Sequence, residues 1–398
     1  MIARAFGLIA LTLLGALWAP LAGAADRVFK IGYLEWSEDP RYGEERLKAQ
    51  FPLQPWGRPV AAADQAIAET RFAGAALKLQ FVLEKRSAAD AAGLAEAVKQ
   101  LAGQGVSYFI VDADGPVLAE LAKRTASLPV ALMNISAPDD ALRGAQCQAR
   151  LLHVLPNYGM LTDALAQYLV LRRWSNVLVL KGPNPADAEL ADAWSRSAKH
   201  FGLKIVSTRP FKLGNDPRDR ELNNLALLTG NADYDAVFVA DADGEFARAV
   251  PYQTAKPRAV IGASGLVADG WHWSWERDGA RQLNNRLIKA AGRPVTSYDW
   301  AAWMAVKSVV EAVVRSGGPD FDKSYAYLRG DDIVLDGFKG FRMGYRRWDG
   351  QLRQPILLNT GNWAIAIAPI EGFLDPVNNL DTLGFDAKST ACRAGGGK

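Results

Sequence analysis

The sequence predicts an α/β protein built from two doubly wound parallel-sheet lobes, and three observations carry that reading. Apolar runs of strand length alternate with amphipathic stretches of helix length from Phe29 onward. The series breaks near Pro156-Asn157, leaving a similar set of strands on either side. The octapeptides FIVDADGP (Phe109–Pro116) and FVADADGE (Phe238–Glu245) then fall at matching places, directly after the third strand of each half. A chain of 398 residues has room for two or three such units.

The N-terminus reads as a targeting segment. Arg4 precedes the apolar run FGLIALTLLGALW, and Pro20 and Ala22-Gly23-Ala24 follow it. Charge, short apolar core and small cleavage residues form a secretory signal peptide over residues 1–24, with the mature chain beginning near Ala25. The run is too short for a good membrane span, and no later segment offers eighteen uninterrupted apolar residues, so a soluble periplasmic protein is expected. Lys and Arg total 46 against 43 Asp and Glu, and the leader takes one base with it. A nearly neutral mature chain makes nucleic acid a poor partner. Cys147 and Cys392 are the two cysteines. In an oxidising compartment they are expected to form one disulfide, the alternative being two unrelated thiols.

The strand-like runs are Phe29–Glu35, Leu77–Glu84, Val106–Val111, Val130–Ile135, Leu151–Leu155, Val177–Leu180, Lys204–Thr208, Ala236–Ala240 and Arg258–Gly262. Continuous apolar strands separated by helices such as Ala88–Leu101, Leu161–Leu171 and Ala186–Phe201 are the pattern of parallel sheets covered on both faces. Beyond Gly265 the pattern changes. WHWSW (Trp271–Trp275) alternates as a strand crossing back towards the first half would. A long helix follows over Tyr298–Arg315, and Ile333–Pro369 reads as short antiparallel strands turning at Asp336-Gly337, Asp349-Gly350 and Thr360-Gly361.

No HExxH, CxxC, Walker loop or GxSxG is present, and His153, His200 and His272 stand far apart. A non-enzymatic protein without a cofactor is therefore expected.

Ligands of open parallel sheets bind beyond the carboxyl ends of the strands. The residues there are Glu35 and Trp36 after strand one, Asp112 and Asp114 after strand three, and Asn134 and Ser136 after strand four. The second half offers Asn157, Tyr158, Asn184, Asp241, Asp243 and Ser264. Asp112 and Asp241 end their strands directly and are the better candidates for the cleft, and for any metal. Asp114 and Asp243 are candidates both for capping the next helix and for ligand contact. Neither DADG copy continues as an EF-hand loop, so each lacks most of the six to eight oxygens that Ca²⁺ takes. Trp36, Trp271, Trp273 and Trp275 are possible stacking surfaces for a sugar, a quinone or a quaternary ammonium group.

Three stretches resemble the type I periplasmic solute-binding proteins: LKIVSTRPFKLGNDPRD (Leu203–Asp219), SYDWAAWMAVKSVVEAVVRSG (Ser297–Gly317) and LDGFKGFRMGYRRWDGQLRQP (Leu335–Pro355). A narrower group is similar over APDDALRGAQCQARLLHVLP, ALAQYLVLRRW, GFKGFRM, WDGQLRQPILL, EGFLDPVNNLDTLGFD and Cys392. That group is the ABC-transporter substrate-binding proteins associated with pyrroloquinoline-quinone-dependent catabolism. The first loop, Trp36–Val60, departs from the branched-chain amino-acid receptors.

The resemblance implies lobes joined by a multi-stranded hinge, with lobe one at 25–155 plus about 276–332. Lobe two would take 156–275 plus about 333–370, leaving 371–398 as a tail. It also implies a monomer that hands a small ligand to a membrane permease. Amino-acid receptors of the family hold the ligand carboxylate after strands three and four, where this chain has two aspartates. At 4 Å, two like charges cost about 4 kcal/mol even at an effective dielectric near 20. Ser264 stands where those receptors place a carboxylate for the ammonium group. Both departures favour a cation, a metal ion or a polyhydroxylated ligand. The alternative function is a periplasmic sensor or a metal or cofactor carrier serving quinoprotein dehydrogenases.

Overall fold

The computed structural model describes residues 27–392 except 76, 215 and 389, so the signal-peptide segment lies outside the described residues. Fourteen strands are described: β1 (Arg27–Trp36), β2 (Leu79–Ala88), β3 (Tyr108–Asp112), β4 (Ala131–Asn134), β5 (Leu151–His153), β6 (Asn176–Lys181) and β7 (Lys204–Pro210) open the series. It continues with β8 (Ala236–Ala240), β9 (Ala259–Gly262), β10 (Val267–Asp269), β11 (Leu335–Asp336), β12 (Arg342–Met343), β13 (Ile356–Asn359) and β14 (Ala364–Ala368).

Two parallel sheets result, ordered β2-β1-β3-β4-β5 and β7-β6-β8-β9. Each of the nine apolar runs read from the sequence overlaps one of β1–β9. For the inner strands the physical cause is burial on both faces: every residue of β3 and β8 is buried, so neither needs a polar side, while the edge strands β2 and β7 stay partly exposed. The antiparallel set also forms, as β10-β13-β14 and β11-β12. Gly350 and Gly361 turn there with φ of 71° and 84°, a region open to glycine.

The WHWSW strand does not form. Strand β10 ends at Asp269, and Trp271–Trp275 runs through turns. Alternation fails because Trp271, His272, Ser274 and Trp275 are all buried. The backbone is held by side chains instead of a ladder: Asn284 Nδ2 donates to the carbonyls of Trp273 (2.8 Å) and Trp275 (3.1 Å).

The long helix is Ser297–Arg315, opened by a reciprocal cap between Thr296 and Asp299. It shares a core with Ile31, Tyr108 and Met133 of the first sheet, and Trp300 stacks on Trp271 at 6.1 Å between ring centroids. Leu335, Met343, Tyr345 and Leu352 are buried in that same core, while Ile356, Leu358 and Ala368 belong to the core of the second sheet. The chain therefore passes between the lobes more than once. A disulfide joins Cys147 to Cys392 across 245 residues of sequence.

Candidate functional site: a cleft between the lobes

A cleft of about 710 Å³ lies between the carboxyl ends of the two sheets. The first lobe contributes Arg41, Asp114, Ser136 and Asp139; the second contributes Asn184, Glu189, Ala242 and Asp243. Leu155, Pro156 and Tyr158 line the passage between lobes, Asp269, Ser297 and Tyr298 lie beside the hinge, and Leu53 and Gln54 come from the first loop.

Sequence reasoning placed Asp112 and Asp241 foremost, and the structure gives the cleft to their neighbours. Asp112 is fully buried and engaged within its own lobe. It accepts from Tyr42 Oη at 2.8 Å and Arg58 Nη1 at 3.4 Å, with Arg41 Nη2 at 3.9 Å. Burial raises its pKa, and the two guanidiniums and the Tyr42 hydroxyl pull against that rise. Asp241 is turned onto the next loop, accepting from Ala247 N at 2.8 Å. Its pKa is pushed up to about 6, chiefly by burial. Neither lines the cleft.

Asp114 combines its two candidate roles, lining the cleft while accepting from Val117 N at 2.9 Å as the cap of helix Gly115–Thr125. Asp243 lines the cleft, accepts from Asn184 Nδ2 at 3.1 Å and pairs with Arg46 at 3.0 Å. Ser136 lines it too, and its hydroxyl bridges the backbone N–H and carbonyl of Ala113, each at 2.8 Å. Tyr158 lines it beside Pro156.

The remaining candidates hold the walls without lining the cleft. Asn134 Oδ1 accepts from the N–H groups of Ser136 and Ala137. Asn157 caps helix Tyr158–Arg172 and donates to Asp140 at 2.6 Å. Glu35 faces Arg58 at 3.6 Å, and the Trp36 indole donates to the Ala89 carbonyl at 2.8 Å. Ser264 is buried away from the cleft lining.

Sequence reasoning missed Arg41, Asp139, Glu189, Asp269, Ser297 and Tyr298. Asp139 was within reach, three residues past Ser136. Asp269 was not: its signal is only the last position of a three-residue strand.

The charges in the cleft are unbalanced. Arg41 is spent on its own lobe, with Nε 3.0 Å from Asp39 and Nη1 donating to the Ser136 carbonyl at 2.6 Å. Lys123 is the other base on the lining, and it is exposed. Against them stand Asp114, Glu120, Asp139, Glu189, Asp243 and Asp269. Burial raises the pKa of Glu189, and Asp139 and Asp140 raise it further by repulsion. Asp269 is pushed up to about 6, chiefly by burial, while a Ser297 hydroxyl hydrogen bond favours its charged form.

Among the described residues, contacts bridge the two walls of the cleft beside Ala242 and beside Asp140. Gln54 Nε2 donates to the Ala242 carbonyl at 2.5 Å, beside the Arg46–Asp243 pair. Glu189 Oε1 accepts from Asp140 N at 2.6 Å, and Arg196 pairs with the Asp140 carboxylate.

A fold of this kind, with a cleft between two sheets bridged from both sides, defines a two-lobed binding protein. Residues 52–251, half of the chain, match the periplasmic binding protein family, and the chain belongs to that family. Membership implies a periplasmic location. No curated protein matches the sequence.

Solved structures share the fold at low identity. A periplasmic ligand-binding protein of a branched-chain amino acid ABC transporter from Burkholderia xenovorans LB400 has a TM-score of 0.72 at 15% identity, over 92% of this chain and 100% of that one. An amino acid ABC transporter substrate-binding protein from Pseudomonas fluorescens Pf-5 gives 0.68 at 13%, over 93% and 100%. A solute-binding protein of an ABC transporter from Rhodopseudomonas palustris BisB5, in complex with 3,4-dihydroxybenzoic acid, gives 0.63 at 15%, over 85% and 97%.

Proposed function

We propose that the chain is the substrate-binding component of an ABC importer, closing its lobes on a small ligand that carries positive charge or several hydroxyls. The observation that supports this most is the cleft lining: with the pairs Arg41–Asp39, Arg46–Asp243 and Arg124–Glu120 set aside, the carboxylates of Asp114, Asp139, Glu189 and Asp269 stand against one lining base, Lys123. An anionic ligand would meet repulsion there, whereas a cation or a neutral hydroxylated molecule would not. Closure works by population shift, because a ligand touching both walls favours the state in which the walls are near.

A link to pyrroloquinoline-quinone-dependent alcohol catabolism rests on the resemblance of the segments quoted above. The metal-carrier alternative has less support: among the described residues no group of three or more His, Cys, Asp or Glu is placed to hold a metal ion.

Native mass spectrometry of protein purified from periplasm is the test. Retention of a cationic or neutral hydroxylated organic mass is the expected result. Retention of a plain carboxylate, or of a metal ion alone, would overturn the reading.

A further inference from the structure

Behind the cleft lies a second chamber of about 40 Å³, which shares Leu53, Gln54, Asp269, Ser297 and Tyr298 with it. Trp56, Trp271 and Trp273 form much of its wall. At the ~10–15 Å³ that one water needs, the space takes about three water-sized groups. It suits the end of a ligand, with the remainder in the cleft.

Two polar atoms on this wall are buried without a partner: Asn359 Nδ2 and Gln54 Oε1. Their orientations are fixed from the other side of each amide. Asn359 Oδ1 accepts from Gly361 N at 3.0 Å, and Gln54 Nε2 donates to the Ala242 carbonyl. The free ends are therefore one donor and one acceptor, and Asn359 is only 2% exposed. Other polar groups of the wall are engaged. The Trp56 and Trp271 indoles donate to Phe51 O and Asn284, the Tyr298 hydroxyl donates to Leu53 O, and His272 lies against Ser274 and Gly361.

We propose that this chamber is an end pocket of the cleft that takes a hydroxyl-bearing terminus of the ligand. Resting on the function proposed above, the assignment narrows its ligand class to a molecule ending in an alcohol or phenol group. A hydroxyl both accepts and donates, so it supplies what Asn359 Nδ2 and Gln54 Oε1 each lack. A carboxylate has no hydrogen to give Gln54 and faces Asp269; an ammonium gives a hydrogen to Gln54 but has no lone pair for Asn359; a methyl group leaves both amides unmatched. An unpaired buried polar group costs about 1–3 kcal/mol, so the match discriminates.

Crystals soaked in 2-bromoethanol and, separately, in bromoethane test it through the anomalous signal of bromine. The expected result is a peak at the chamber mouth for the alcohol, none for bromoethane, and loss of the peak in Asn359→Leu. Asn359→Asp keeps the shape and the bond to Gly361 but removes the donor. It is expected to lose the peak as well, and it carries the test if the leucine variant does not fold. Equal peaks from both probes, no peak from either, or a peak retained in both variants would overturn the proposal. A cationic ligand recovered from periplasm and found to leave the chamber empty would overturn this assignment alone, with the import reading intact.

Discussion

Arg46 Nη1 lies 3.0 Å from Asp243 Oδ1, so the first loop of lobe one is fastened to the strand end of lobe two. Beside it, Gly244 at φ +81° lets Phe51 approach closely, and the Arg248 guanidinium sits 5.6 Å from the Phe51 ring. The repeated tetrapeptide thus serves two ends. In the first copy its second aspartate caps a helix; in the second copy that aspartate is a latch between lobes. Both side chains of the pair are about one-third exposed, so the bond contributes roughly 0.2–1 kcal/mol. Arg46→Ala is expected to leave the melting temperature almost unchanged while shifting the population towards an open form. Small-angle scattering should show a larger radius of gyration than wild type without ligand, and a double-mutant cycle with Asp243→Asn should give coupling of that size.

Arg143 carries more weight because it is fully buried. Its Nε donates to Gln351 at 2.9 Å, Nη1 to the carbonyls of Ala137 (2.7 Å) and Asp139 (3.0 Å), and Nη2 to Leu155 O (2.8 Å). Burial lowers its pKa to about 10, which still leaves it charged at neutral pH. One side chain thereby ties the loop after β4, the passage between the lobes and the returning C-terminal segment. Arg143→Met strands several buried acceptors, each worth about 1–3 kcal/mol. A loss of about 3 kcal/mol or more is expected in urea unfolding.

The disulfide fixes the tail to the same loop, where Thr390 also donates to the Arg143 carbonyl at 3.3 Å. Closing so long a loop restricts the unfolded chain, and about 2–4 kcal/mol is the usual gain. Cys147→Ser with Cys392→Ser, or reduction by dithiothreitol, is expected to lower the melting temperature. The reductant should have no effect on the double variant.

The inner strands such as β3 and β8 were legible because burial on both faces leaves a short apolar run, whereas the edge strands β2 and β7 are partly exposed and were read from their place in the alternation with helices. The cleft was legible only as a region. Asp112 and Asp114 differ by two positions in sequence, and nothing local says that Tyr42, Arg41 and Arg58 will enclose the first. Those partners arrive from a loop without period, and an ion pair has no sequence signature when its members are distant. WHWSW failed for a related reason. Its alternation is real in the letters, but all of its tryptophans except Trp273 find partners in the core, and a side chain of helix Ala280–Ala291 took the backbone bonds.

Asp269 gives the cleft a pH dependence whose sign follows from its surroundings. Burial pushes its pKa up to about 6, against roughly 3.9 in an unfolded chain. Ser297, the N–H groups of Gly270 and Trp271, and the charge of Lys339 favour the carboxylate without cancelling that rise. Between those two values the folded state binds the proton more readily than the unfolded state. The group's contribution to stability is therefore fully present below pH ~4 and lost as pH rises through 6. Ligand binding runs the opposite way, because a cation is attracted only by the ionised form. Calorimetric titration with the cationic ligand recovered from periplasm is expected to show tighter binding at pH 7 than at pH 5. Asp269→Asn should flatten that difference and bind more weakly at pH 7. Wild-type affinity equal at the two pH values would mean that Asp269 does not face the charge of the ligand.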